Sequence, residues 1–185
     1  MSCTKAQGNN NMIELFTPFS EEILCTLKPF DKVLITGKMY IARDQAHKRM
    51  FEDEIPIDIK NQCIYYCGPT DPKKGQIIGS AGPTSSYRMD KYTPYLLDKG
   101  LKAMIGKGKR SSYVIESIIK NKCVYFGAIG GLGARLSKCI KKQSIIAYDD
   151  LGTEALREIY VEKFPAIVII NCNGNSIYES KVTNE

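Results

Sequence analysis

The chain has no tryptophan and a single histidine, His47, among its 185 residues. A Cys/His zinc site wants several ligands clustered at tight spacings. One histidine therefore leaves the cysteines to build a metal site alone. There are seven of them: Cys3, Cys25, Cys63, Cys67, Cys123, Cys139 and Cys172. Their only close pair is Cys63 and Cys67 in CIYYC, and no second pair follows, so no metal site is expected. On a strand both would share one face, as buried thiols packing like small hydrophobes. An odd count and no recognisable secretory signal argue against a disulfide framework, and a reducing cytoplasm is expected. No apolar run approaches the ~20 residues that cross a bilayer, so no membrane partner is expected. Acidic charge is also in deficit: 20 Asp and Glu against 26 Lys and Arg, a net charge of +6. The excess is scattered, unlike the dense basic stripe of a nucleic-acid binder. It suits an anionic ligand or an acidic partner surface.

A length of 185 residues with 43% hydrophobic content fits one domain with a real core. Residues 1–11, MSCTKAQGNNN, read as a disordered arm, and residues 12–185 as a single domain. A short helix is expected from Glu21 to Leu27, with Ser20 as its N-cap. DKVLITG reads as a strand over Asp31 to Gly37, closed by the glycine. Arg43 to Asp53 reads as a helix. Cys63–Cys67 and Gln76–Ser80 read as strands around a Pro/Gly turn. Beyond them come a helix from about Met89 to Gly100, a strand in KAMIGKG, a helix capped by Ser111 or Ser112, a strand in KCVYFGAIGG, a helix in GLGARLSKCIKK and a strand in SIIAYDD. The last stretch, EIYVEKFPAIVIINCNGNSIYES, reads as two or three strands ending in an Asn173-Gly174 hairpin. Alternating strand and helix in the middle argues for a parallel sheet with crossover helices, flanked by antiparallel strands.

Four stretches carry candidate chemistry. In SAGPTSSYRMDKY, Gly82 and Pro83 turn the chain, and Thr84, Ser85 and Ser86 lie near the start of a helix. Free N–H groups there attract anions, and Arg88 adds a fork for a carboxylate. The bland alternative is a capped helix start with an incidental arginine. In GKMYIARDQAHKR, Arg43 and His47 share one helix face, while Asp44 and Lys48 share another and suit an ion pair. The bland alternative is a solvated basic helix with His47 on the surface. In IGKGKRSS, Lys107 lies between glycines. It is not a P-loop, because Gly108 stands where Ser or Thr would hold magnesium. The glycines of GAIGGLGA do not have the G-x-G-x-x-G spacing, which argues against a dinucleotide. Arg43, Arg88 and Lys107 each sit at a strand end beside glycine. Three cations converging there would suit a di- or tricarboxylate.

TGKMYIARDQAHKR, GSAGPTSSYRMDKY, MIGKGKRS and YFGAIGGLGA occur in that order with matching gaps. Together they resemble the beta subunit, or C-terminal half, of class I iron–sulfur hydro-lyases: the fumarate hydratase and L-tartrate dehydratase family. The resemblance covers about Ile13 to Tyr178. It implies an α/β fold, a three-layer β/β/α swivelling domain with a central, mostly parallel sheet and antiparallel flanking strands. It implies reversible hydration of fumarate to (S)-malate at a site shared with an alpha subunit. That partner would carry a [4Fe-4S] cluster on its own three cysteines, so none here is assigned to it. By motif position, Arg43 and Arg88 match carboxylate-binding arginines and Lys107 a substrate-contacting lysine. Thr84 matches the catalytic base. His47 matches the histidine of an Arg-Asp-x-x-His pattern, a second acid/base candidate able to titrate near neutrality. Ser85 stands where the family often has threonine and keeps a hydroxyl. Asp44 and Gly82 belong to the same motifs in secondary roles. GGLGA is closer to fumarases than to tartrate dehydratases, while L-tartrate, mesaconate and a non-catalytic dicarboxylate-binding role stay open.

Overall fold

The computed structural model describes residues 12–128 and 133–179. The arm expected over 1–11 lies outside them, as do positions 129–132 of GAIGGLGA. In chain order the elements are β1 (Ile13–Phe16), α1 (Glu21–Leu24), β2 (Lys32–Ile41), α2 (Asp44–Glu52), β3 (Cys63–Tyr65), α3 (Thr93–Asp98), β4 (Ala103–Gly106), α4 (Ser112–Asn121), β5 (Val124–Ala128), α5 (Gly133–Ser137), β6 (Ile140–Ala147) and β7 (Leu156–Ile170). Short 3₁₀ turns occupy Ser86–Met89, Asp149–Glu154 and Ile177–Glu179. No described helix is long and apolar enough to cross a membrane.

The result is a mixed α/β fold on one sheet of seven strands. Strands β1 to β5 run parallel, in the order of the sequence. β7 runs antiparallel to both β5 and β2, so pairing around β2–β3–β4–β5–β7 returns to β2. β6 adds antiparallel to the outside of β7. The period of two then sorts side chains into two cores. Cys63, Tyr65 and Cys67 join Ile35, Ile105, Phe126 and Phe164 on the inner side. Ile64 and Tyr66 face the other way, packing with Met50 of α2, Leu96 and Leu97 of α3, and Val114 and Ile118 of α4.

Several expectations are corrected. Gly37 does not close β2. The strand continues to Ile41, because Gly37 takes φ 127° at a bulge where the register against β7 shifts. Gln76–Ser80 forms no strand: it pairs with no other strand, and Ile77 is 46% exposed. The expected helix from Met89 divides into the 3₁₀ turn and α3, which has a proline in its first turn. The strand expected in SIIAYDD starts earlier, at Ile140. The two or three C-terminal strands are one, β7, running through Pro165. The proline is tolerated because it precedes Ala166, the first residue at which β7 also pairs with β5. β6 and β7 are antiparallel as expected, but β1 is parallel to its neighbour. Neither Ser20 nor Ser111 makes a side-chain capping bond.

Candidate active site

Three of the four stretches lie beyond the carboxyl ends of the adjacent parallel strands β2, β3 and β4, the edge where α/β sheets bind ligands. β2 ends at Ile41, and Arg43 becomes the N-cap of α2. β3 ends at Tyr65, and the Tyr66 carbonyl accepts the Thr84 N–H at 2.7 Å. β4 ends at Gly106, directly before Lys107. Ser85 and Lys107 form a parallel bridge, and the Ser86 N–H donates to the Lys107 carbonyl at 3.0 Å. The Lys107 N–H in turn donates to Ser86 Oγ at 3.1 Å. This closeness requires glycine at 106, since a Cβ there would stand 2.0 Å from Ser86 Oγ. Gly82 lies against Gly133 at the start of α5, and Ala81 donates to the Gly133 carbonyl at 3.2 Å.

Thr84 and Ser85 are half-buried, while Arg88 and Lys107 are exposed. The Thr84 and Ser85 hydroxyls make no hydrogen bond among the described residues, and Lys107 makes no ion pair there. Arg88 NH2 lies 2.5 Å from Asp44 Oδ2, so the 3₁₀ turn is tied to the first residue of α2. The expected Asp44–Lys48 pair is absent; Lys48 approaches Glu52 instead, at 3.8 Å. Arg43 lies over Gly68, its Nε 3.1 Å from Glu154 Oε1. That contact is ionic and not an aligned hydrogen bond. Arg43, Asp44, Arg88, the Thr84–Ser86 turn and Lys107 are thus linked by successive contacts along one edge. A cleft of about 510 Å³ beside this edge is lined by Thr70, Ser80, Lys138 and others, but not by Thr84, Arg88 or Lys107.

His47 is not on the surface. It is completely buried on α2, its Nδ1–H donating to the Arg43 carbonyl at 2.8 Å and its ring edge-on to Tyr66. Nε2 is buried and has no partner. Burial, with a smaller contribution from the Arg110 charge, lowers its pKa to about 4, so it does not titrate near neutrality. It holds the backbone at Arg43 as a neutral ring.

Asp90 and Arg110 were not singled out in the sequence. Arg110 Nε donates to Asp90 Oδ1 at 2.6 Å, in a pair that is almost wholly shielded from solvent. Burial opposes the Arg110 charge, but Tyr66, Asp90 and Tyr125 around it outweigh that, and its pKa is raised. The signal was faint: an aspartate just after the SSYRM turn and an arginine just after GKGK, with nothing to show that they meet.

No group of three or more His, Cys, Asp or Glu side chains suited to a metal occurs among the described residues. Burial pushes the Cys67 and Cys123 thiols up to about 12, and Cys63 further still. All three are packed in the apolar cores and are not gathered into a ligand set among the described residues, which does not fit the clustered cysteines of an iron–sulfur site.

The sequence matches the family model described as "Fumarase C-terminus" over residues 2–181. It is 35% identical to "Fumarate hydratase class I, anaerobic" of Escherichia coli, over 97% of this chain and 34% of that protein. It is 36% identical to "Fumarate hydratase 2" of Leishmania major, over 80% of this chain and 27% of that protein. It is 33% identical to "Putative L(+)-tartrate dehydratase subunit beta" of Methanocaldococcus jannaschii, over 89% of this chain and 90% of that protein. The chain spans about a third of the length of the fumarate hydratases it matches.

Proposed function

Because the chain belongs to the fumarase C-terminus family, we propose that it is the beta subunit of a class I hydro-lyase that reversibly hydrates fumarate to (S)-malate. Its partner in this reading is an alpha subunit that carries a [4Fe-4S] cluster; among the described residues of this chain no group of side chains is suited to hold a metal. When bound, the cluster supplies a Lewis acid for the hydroxyl. The three-layer β/β/α swivelling architecture, one domain over residues 12–185 and a cytoplasmic location belong to the same proposal. The return of the sheet from β7 to β2 supports the first.

One observation carries the reading: the reciprocal pairing of Ser86 with the Lys107 backbone sets the Thr84 turn beside Lys107, which makes no ion pair among the described residues, while Arg88 meets α2 next to Arg43. Arg43 and Arg88 hold the two substrate carboxylates. Each lies against one protein carboxylate, and a guanidinium with five N–H donors can serve a substrate carboxylate as well. Lys107 offsets the charge that builds on a carboxylate as the neighbouring C–H proton leaves. The Thr84 hydroxyl lies on the same turn as Arg88, placed to take that proton or relay it. A hydroxyl needs an activating neighbour for this; Lys107, Arg88 or a partner side chain can serve. His47 acts by fixing Arg43 and does not itself move the proton. Ser85 and Gly82 shape the turn, and Asp44 orients Arg88.

The match to a tartrate dehydratase beta subunit over 90% of its length favours a second substrate reading, L-tartrate, within the same chemistry. The test is turnover by the chain co-expressed anaerobically with its cluster-bearing partner, assayed on fumarate, (S)-malate, L-tartrate and mesaconate. Fumarate and malate are expected to interconvert fastest. Preference for tartrate or mesaconate would reassign the substrate, and no turnover of any of the four would refute the hydro-lyase reading.

A further inference from the structure

We infer that the Tyr125 hydroxyl, bridging Ser86 and Gly108 with its ring backed by the buried Asp90–Arg110 pair, positions Lys107 against the turn that carries Thr84 and Arg88. This deepens the dicarboxylate reading of that edge and rests on it. A buried ion pair by itself is weak evidence for stability, because apolar replacements are often as good. What distinguishes this pair is where each contact leads.

Both Asp90 oxygens are used. Oδ1 accepts from Arg110 Nε, and Oδ2 accepts from the Ser111 N–H at 2.7 Å and its Oγ–H at 2.6 Å. Arg110 NH2 donates to Thr93 Oγ1 at 2.7 Å. The guanidinium lies 5.4 Å from the Tyr66 ring centre and 5.0 Å from that of Tyr125. Asp90 immediately follows the 3₁₀ turn bearing Arg88. The Tyr66 carbonyl holds the Thr84 N–H. The Tyr125 hydroxyl donates to the Gly108 carbonyl at 2.9 Å and lies 2.8 Å from Ser86 Oγ, which accepts the Lys107 N–H. The exposed Lys107 loop is therefore fastened at the lysine and just after it, and both fastenings meet at the Tyr125 hydroxyl, whose ring lies against Arg110. Neither Arg110 nor Asp90 reaches the surface, so both are positioning residues without substrate contact.

Tyr125→Phe keeps the ring beside Arg110 and removes only the hydroxyl. Arg110→Lys keeps the charge and loses the planar fork; if it does not fold, Tyr125→Phe still decides. In the full chain, amide exchange at Lys107 is expected to rise about tenfold in Tyr125→Phe while unfolding stays cooperative. In the complex with the alpha subunit, Tyr125→Phe is expected to lower kcat/KM about tenfold with Lys107 present, but by less than about twofold in a Lys107→Ala background. Unchanged exchange at Lys107, or equal losses in the two backgrounds, overturns the proposal. A wild-type complex inactive on every dicarboxylate refutes the dicarboxylate reading instead, and the exchange measurement still decides whether this network fixes Lys107.

Discussion

Replacing Arg88 by alanine separates the two jobs of that side chain. In the free chain, Arg88 is 42% exposed and pairs with Asp44, which is 22% exposed. An ion pair this open to water contributes about 0–1 kcal/mol to stability, so melting should shift by only a few degrees. In the assembled site the same guanidinium is assigned a substrate carboxylate. A charge-assisted contact that strengthens in the transition state is worth about 2–4 kcal/mol. At about 1.4 kcal/mol per tenfold change, kcat/KM should fall by roughly 30- to 700-fold. Arg88→Lys keeps the charge but loses the two-pronged geometry, and should recover only part of the loss. The assay is anaerobic conversion of fumarate by the reconstituted pair, followed through the ultraviolet absorbance of its double bond, with a thermal melt of each variant. Wild-type kcat/KM in Arg88→Ala would refute the site assignment. A loss matched by collapse of the melt would refute the separation of binding from folding.

His47 makes stability depend on pH. Its folded pKa of about 4 lies below that of a free imidazole, so the native chain binds fewer protons between about pH 4 and 6.5. The stabilisation is present above that window and lost as pH falls through it, by on the order of 3 kcal/mol for this fully buried ring. Urea unfolding across the window should show a smaller slope in His47→Gln than in wild type, and equal slopes would contradict the burial argument. Gly106→Ala places a methyl 2.0 Å from Ser86 Oγ and 2.9 Å from a Tyr66 ring carbon. It should cost about 1–3 kcal/mol by overpacking, read in the same unfolding experiment; an unchanged midpoint would contradict the packing. Cys63, Cys67 and Cys123 should resist thiol reagents in the native chain and react only on unfolding, whereas the half-buried Cys25 and Cys139 should be labelled before them. Peptide mass spectrometry of briefly labelled protein distinguishes the two groups.

The parallel heart of the fold was legible at β3, β4 and β5, short apolar runs with a glycine at or near their ends and a helical period beyond, whereas β2 runs past Gly37 to Ile41 and β1 has no closing glycine. The same pattern put Arg43, Thr84, Arg88 and Lys107 beyond strand ends, and Asp44, Ser85 and Ser86 supply the contacts that link them there. β7 was harder to read. Its proline looks like a strand break until the partners on each side are known, because only the fold shows that Pro165 precedes the pairing with β5. Local rules paired Asp44 with Lys48 across one helical turn, but a guanidinium from another strand end took its place. His47 sits in a polar, charged segment, and its burial is decided by Tyr66, a neighbour 19 positions away in sequence. Asp90 and Arg110 lie 20 residues apart on two loops, and nothing local in either loop announces the other.

The central claim is that this chain supplies the carboxylate-binding and proton-transfer half of a shared site. Titrating it into a fixed amount of the cluster-bearing subunit under anaerobic conditions, with fumarate hydration as the readout, tests that claim most directly. The account predicts negligible activity from either component alone and a saturating rise as the two combine. Thr84→Ala should compete for the same subunit while adding almost no turnover. Full activity from either subunit alone, or wild-type turnover from the Thr84→Ala complex, would contradict it.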